Sequence, residues 1–151
     1  MRFLAALVLL VSSSAFACPN LAGTYASCRS TTGQTPGSTN MFVTQSVTNK
    51  VTTFEVSATN NETNEREQET YRADGKVNTQ VISDPDSGIT LETSSQISCS
   101  SSTLSIDMSV KLNGEAAGYA NIKVVKVGSQ LIVDSTSFDG EETIVEKEIC
   151  E

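Results

Sequence analysis

Residues 103–112 read TLSIDMSVKL, and apolar and polar side chains alternate along this stretch without a break. Because successive side chains of a β-strand point to opposite faces, the alternation predicts a half-buried strand with one apolar face. Five apolar side chains, each worth about 1.5–3 kcal/mol when fully buried, make this face the best candidate for the core. They are Leu104, Ile106, Met108, Val110 and Leu112.

The apolar face also predicts the register of the next strand. Asn113-Gly114 is typical of a two-residue hairpin turn, which would place Leu112 opposite Glu115 and mix apolar with polar faces. Since a shift by one residue restores matched faces, we expect a three-residue loop or an adjacent β-bulge. The expected pairs are Leu112–Ala116, Val110–Gly118, Met108–Ala120, Ile106–Ile122 and Leu104–Val124.

The following hairpin turns at Gly128-Ser129. A two-residue turn there matches apolar, charged and aromatic partners across the two strands, so its register is self-consistent. The expected pairs are Val124–Val133, Lys123–Asp134 and Tyr119–Phe138.

Shorter segments elsewhere in the chain carry the same strand signals. Residues 21–27, 41–47, 51–57, 89–99 and 143–149 are rich in Val, Thr, Ile and aromatic side chains. Asp74-Gly75 and Asp139-Gly140 each predict a hairpin between flanking strand residues. Eight to ten short antiparallel strands without an amphipathic helix predict an all-β fold, either an up-and-down β-barrel or a β-sandwich.

The N-terminal residues 1–17 have the pattern of a secretory signal peptide. Arg2 precedes an apolar run that is too short to span a bilayer, and Ala15-Phe16-Ala17 has the small-x-small form of a cleavage site. We therefore expect a secreted or periplasmic protein with one domain over residues 18–151 and no transmembrane segment. Cys18 directly follows the site, so a lipid anchor on that cysteine is the minority alternative.

The four cysteines predict two disulfides, because an exported chain with an even cysteine count normally oxidises them. In a closed barrel the first and last strands pair, which would bring Cys18 near Cys150. We therefore expect a Cys18–Cys150 disulfide and, by elimination, a Cys28–Cys99 disulfide.

Charge and composition argue against several function classes. The chain has 10 basic and 18 acidic side chains, and loss of Arg2 with the leader changes the net charge from −8 to −9. Nucleic acid is thus not an expected partner, because binding it requires basic patches. The sequence contains no histidine, so the Ser-His-Asp arrangement is excluded, and we expect no enzymatic activity, no metal site and no cofactor.

The stretch Leu21-Ala22-Gly23-Thr24-Tyr25 resembles the first strand of lipocalin-like barrels, which opens on a Gly-x-aromatic signature. The resemblance implies an antiparallel barrel. Members of that family typically carry small apolar ligands inside the barrel.

Our leading functional hypothesis is therefore a non-enzymatic exported barrel that binds a small apolar molecule. The alternative use of the same side chains is to fill the core, and a cavity above roughly 300 Å³ would favour a carrier. The second hypothesis is an interaction or inhibitor module that contacts a protein partner through residues 30–40 or 60–69. The candidate ligand-binding residues are Tyr25, Leu104, Ile106, Met108, Val110, Ile122, Val124 and Val133.

Overall fold

The computed structural model describes residues 18–33, 37–85 and 87–151, so the predicted signal peptide lies outside the described residues. The described chain forms ten β-strands and no helix. The strands are β1 (Gly23–Ser30), β2 (Ser38–Thr48), β3 (Val51–Asn60), β4 (Arg66–Ala73), β5 (Val77–Asp84), β6 (Ile89–Cys99), β7 (Thr103–Leu112), β8 (Glu115–Val127), β9 (Gln130–Phe138) and β10 (Thr143–Cys150).

All ten strands belong to one antiparallel sheet in the order β4-β3-β2-β1-β10-β9-β8-β7-β6-β5. Each strand pairs with its neighbours in the chain except at one seam, where β4 and β5 form opposite edges of the sheet. The first strand pairs with the last, as expected for a barrel. The all-β, up-and-down prediction is thus confirmed, but the sheet is not closed and the fold is an open barrel or sandwich.

The predicted disulfide pairing is wrong. The structure contains Cys28–Cys150 and Cys18–Cys99 disulfides instead of Cys18–Cys150 and Cys28–Cys99. The pairing of β1 with β10 places Cys28 directly opposite Cys150, with a Cα–Cα distance of 3.9 Å. Cys18 precedes Cys28 by ten residues, so along an extended strand it would lie roughly 33 Å from this register position.

Cys18 has a different partner because the segment before β1 leaves the sheet and packs against the core. Leu21 is buried, and its backbone N–H donates a hydrogen bond of 3.1 Å to Oε1 of Gln45. Lys126 Nζ donates to the Ala22 carbonyl oxygen at 2.7 Å. The segment thereby reaches the end of β6, where Cys18 bonds to Cys99. Two disulfides agree with an oxidising extracellular or periplasmic environment.

The hairpin of β7 and β8 confirms the expected adjacent bulge. Leu104, Ile106, Met108 and Val110 face their predicted partners, and the register shifts between Val110 and Lys111. Asn113 and Gly114 both have positive φ, of 52° and 84°. They form a two-residue turn, so Leu112 lies opposite Glu115 and not Ala116, and the bulge absorbs the change of face.

The predicted register of the β8–β9 hairpin is confirmed in full. Val124 lies opposite Val133, Lys123 opposite Asp134 and Tyr119 opposite Phe138. The two aromatic rings stack with their centroids 6.0 Å apart.

The predicted hairpin at Asp74-Gly75 is wrong, because β4 and β5 do not pair with each other. Asp74 accepts a hydrogen bond of 3.0 Å from the backbone N–H of Lys76, so the turn is satisfied locally. The Gly75 N–H donates to the Ile97 carbonyl oxygen at 2.9 Å, which directs the chain towards β6. The Asp-Gly turn therefore links the two edge strands, β4 and β5, and does not form a hairpin between them.

The core lies on the inner face at the end of the barrel that holds the two disulfides. On β7, Leu104 and Ile106 are 3% and 5% exposed, whereas Met108 and Leu112 are 40% and 44% exposed. The apolar face of this strand is thus buried over only part of its length, because an open sheet does not cover its inner face throughout. The buried apolar residues are Leu21, Tyr25, Cys28, Val43, Phe54, Leu104, Ile106, Leu131 and Cys150.

Peptide mapping of the non-reduced protein tests the disulfide arrangement. We expect proteolytic fragments that link Cys18 to Cys99 and Cys28 to Cys150. Replacement of either cysteine pair by alanine should lower the free energy of unfolding by about 2–5 kcal/mol. A fragment that links Cys18 to Cys150 would contradict the register between β1 and β10.

Substitution of Gly118 tests the close approach of β8 to the end of β9. A Cβ at this position would lie 2.7 Å from the Phe138 carbonyl oxygen, so Gly118→Ala must displace backbone of β9. We expect a loss of about 1–3 kcal/mol in urea unfolding. Gly114→Asn is the control, because a Cβ there meets nothing within 4 Å and Asn tolerates the positive φ. Equal stability of Gly118→Ala and the wild type would contradict the close approach.

Candidate functional site

The candidate site is an apolar cavity of about 200 Å³ inside the barrel. Its wall comes from the segment before β1 and from strands β2, β3, β4, β7, β8, β9 and β10. The lining side chains are Leu21, Met41, Val43, Phe54, Val56, Tyr71, Leu104, Ile106, Ile122, Val124, Leu131, Val133 and Glu148.

One wall of the cavity is a continuous row of side chains across four strands. Leu104 of β7 lies opposite Val124 of β8, which lies opposite Val133 of β9. Val133 in turn lies opposite Glu148 of β10. Directly opposite residues of antiparallel strands point to the same face, so the strand pairing brings all four side chains to the inner face.

The next row across the same strands changes from apolar to polar. Ile106 lies opposite Ile122, which is followed across the sheet by Ser135 and Glu146. Glu146 is only 8% exposed, and its Oε1 accepts a hydrogen bond of 3.5 Å from the Thr32 hydroxyl. The interior therefore has an apolar part and a polar part, and the glutamates of β10 mark the boundary.

By their charge alone, residues 146–148 of β10 would be assigned to a polar edge or outer face. Only Lys147 fits that description, since it is exposed and pairs with Asp134 at 3.8 Å. Glu146 is buried, and Glu148 lines the cavity. The alternation along β10 places Glu146 and Glu148 on the opposite face from Lys147. From sequence alone, however, charged residues are normally assigned to the outer face, so the inward position of the two glutamates was not recognised.

Five of the eight predicted ligand-binding residues line the cavity, and three do not. Tyr25 is buried beside it, and its hydroxyl donates a hydrogen bond of 2.9 Å to the Leu21 carbonyl oxygen. Met108 lines a separate surface depression together with Val77 and Tyr119, and Val110 belongs to neither lining. The five that line the cavity are Leu104, Ile106, Ile122, Val124 and Val133.

Sequence reasoning missed the opposite wall of the cavity. Met41, Val43, Phe54 and Val56 lie on the β2–β3 hairpin, where Val43 is directly opposite Val56. The alternation of this hairpin was detectable, but which of its residues face β7–β9 depends on the pairing of β1 with β10. The closing disulfide contributes to this wall, because Cys28 Sγ lies 3.7 Å from Met41 Sδ.

A lysine holds the segment before β1 over the end of the core. The Lys126 Nζ that binds the Ala22 carbonyl also lies 5.8 Å from the centroid of the Tyr25 ring. This distance is within the range of a cation–π interaction. Because Leu21 lines the cavity, Lys126 helps to fix one boundary of the site.

Asp139 lies in the turn before β10 and does not line the cavity. The pKa of its carboxyl is lowered. The backbone N–H groups of Glu142 and Glu141 donate to Oδ1 of Asp139, at 3.1 and 3.0 Å, and favour the ionised form. A lowered pKa stabilises the fold above the ordinary aspartate range, and this stabilisation is lost as the pH falls through the folded-state pKa. The carboxylate therefore supports the turn before β10 at neutral pH.

The described residues contain no group of three or more side chains that could hold a metal ion. Within the same part of the chain, no helix is long and apolar enough to cross a membrane. Comparison of the chain with protein-family models, with curated proteins and with solved structures finds no match.

Proposed function

We propose that the protein binds a small apolar molecule in its interior cavity and acts as a non-enzymatic exported binding protein. The observation that supports this function is the 200 Å³ cavity, which is lined by apolar side chains from six strands and from the segment before β1. Buried side chains such as Leu21 and Phe54 line this space, so an apolar molecule bound there would be largely removed from water.

The volume limits the size of the ligand. An apolar cavity of about 150 Å³ can stay dry and bind benzene, whereas pockets for drug-sized ligands measure about 300–1,000 Å³. At about 200 Å³, the cavity is below the roughly 300 Å³ above which a carrier was expected, but it is not filled. We therefore propose a ligand of about six to ten non-hydrogen atoms.

The lining also suggests which part of the ligand is polar. Glu148 is the charged residue among the thirteen lining residues that the structure describes. A carboxylate accepts hydrogen bonds, so a ligand with a donor group at one end would place that end towards β10. The apolar remainder would pack against Leu104, Val124 and Phe54.

The alternative proposal is an interaction or inhibitor module that contacts a protein partner through residues 30–40 or 60–69. The described residues of the first region, 30–33 and 37–40, lie at the end of β1 and the start of β2, and the second region spans the connection from β3 to β4. Residues 61–70 are all exposed, which makes them available to a protein partner. No lining residue of the cavity belongs to either connection, so the two functions can be tested separately.

A cavity-filling substitution tests the proposed function. In the wild type, indole at about ten times its Kd should stabilise the fold by about 1.4 kcal/mol, which a thermal-shift measurement detects. Val133→Phe places a ring in the cavity and should abolish this stabilisation.

Val145→Phe is the matched control, because Val145 is an exposed valine of β10 and does not line the cavity. It should respond to indole like the wild type. Native mass spectrometry without any bound small molecule, together with no response to indole or benzene, would overturn the proposal.

A further inference from the structure

Strand β5 is an edge strand that lacks the usual protection against pairing. All eight of its residues are exposed, including the apolar side chains Val77, Val81 and Ile82. Its residues 77–83 read VNTQVIS and contain no charge and no proline. Natural edge strands normally avoid such a surface, because the unpaired N–H and C=O groups of an edge can pair with another chain.

The opposite edge of the same sheet has the usual protection. Strand β4 carries Arg66, Glu67, Glu69 and Arg72. These charges oppose the approach of a second strand, whereas β5 offers a neutral backbone over seven consecutive residues. The contrast between the two edges indicates that β5 is the pairing surface.

We propose that β5 pairs with β5 of a second copy of this chain and forms an antiparallel two-fold dimer. Charge complementarity identifies the partner. When Gln80 lies opposite its own copy, Lys76 of each chain lies opposite Asp84 of the other. A two-fold axis applies the same contact twice, so two Lys–Asp pairs bracket the neutral strand.

Other registers lose this complementarity. Moving the centre of symmetry from Gln80 to Thr79 places Lys76 opposite Ile82, so the Lys–Asp pairs at the strand ends are lost. Moving it to Val81 places Asp84 opposite Asn78 and Lys76 beyond Asp84, the last residue of the second strand, so the same pairs are lost. Lys76 and Asp84 are both exposed in the single chain, where the Asp84 carboxylate also accepts a hydrogen bond of 2.7 Å from the Ser87 hydroxyl.

The pairs next to the centre of this register are also compatible. In the register centred on Gln80, Thr79 lies opposite Val81, and β-branched side chains are favourable cross-strand neighbours. Each chain has a formal net charge of −8, so two copies repel each other over most of their surfaces. A second copy that approaches along the neutral β5 edge therefore encounters little electrostatic repulsion, and the charges at the two ends of the strand attract each other.

Charge reversal at the two ends of β5 tests the dimer and its register. Sedimentation velocity from about 5 to 500 µM should show a concentration-dependent dimer of the wild type. Lys76→Asp or Asp84→Lys alone should raise the dimer Kd about tenfold or more, because each creates two like-charge pairs. The double variant Lys76→Asp/Asp84→Lys should return the Kd to within about threefold of the wild type.

Two further variants keep the test decisive. Val81→Lys places a charge at the centre of the edge and should also abolish the dimer, which covers the case in which Asp84→Lys fails to fold. Glu67→Lys on β4 is the control and should leave the Kd unchanged. A wild type that is monomeric throughout, a dimer that the β5 variants do not weaken, or a double variant that stays monomeric would each overturn the proposal.

Discussion

The contact between the first and the last strand is the constraint on which the rest of the structure depends. Cys28 and Cys150 are 122 residues apart in sequence, and their disulfide lies inside the core. Backbone hydrogen bonds continue the contact, since the N–H groups of Ala26 and Ser27 both donate to the Glu151 carbonyl oxygen. Closing so long a loop costs conformational entropy, and a covalent bond lowers that cost by restricting the unfolded chain. Without it, the eight hairpins would form two separate sheets, β1–β4 and β5–β10.

Closure between β1 and β10 also determines where the sheet is open. A meander closed through its first and last strands interrupts its ladder at one internal connection, which is the Asp74-Gly75 link between β4 and β5. The cavity and the free β5 edge follow from the same arrangement. Strands β2–β4 face β7–β10 across the cavity, whereas β5 has a partner on one side only. The two proposed activities therefore occupy different parts of the sheet.

Local pattern was sufficient to predict most of the strands and the registers of two hairpins, β7–β8 in large part and β8–β9 in full. The alternation over residues 103–112 predicted the pairs of β7 with β8 and the need for a bulge beside Asn113-Gly114. Such predictions succeed because a register shift of one residue would move every side chain to the opposite face of the sheet and expose the apolar ones to solvent. The cysteine pairing and the seam could not be predicted in this way. Both depend on how strands far apart in sequence align, and Asp-Gly has the same local chemistry in a hairpin as in a crossing connection.

The sequence also predicted part of the candidate site, namely five of the residues that line the cavity. The apolar residues of β7–β9 were found because they continue one alternating pattern, but the pattern did not reveal where along the strand burial ends. Met108 and Val110 continue the inner face beyond the cavity, and Met108 is exposed. The β2–β3 wall and Glu148 became visible only when closure placed them opposite that pattern.

Nuclear Overhauser contacts between backbone protons in solution test the central claim most directly. We expect cross-strand contacts between β1 and β10 at Arg29 and Ile149, which lie opposite each other. We expect none between β4 and β5, since these strands form opposite edges of the sheet. Contacts along a β4–β5 ladder, or the absence of contacts between Arg29 and Ile149, would contradict closure through the first and last strands.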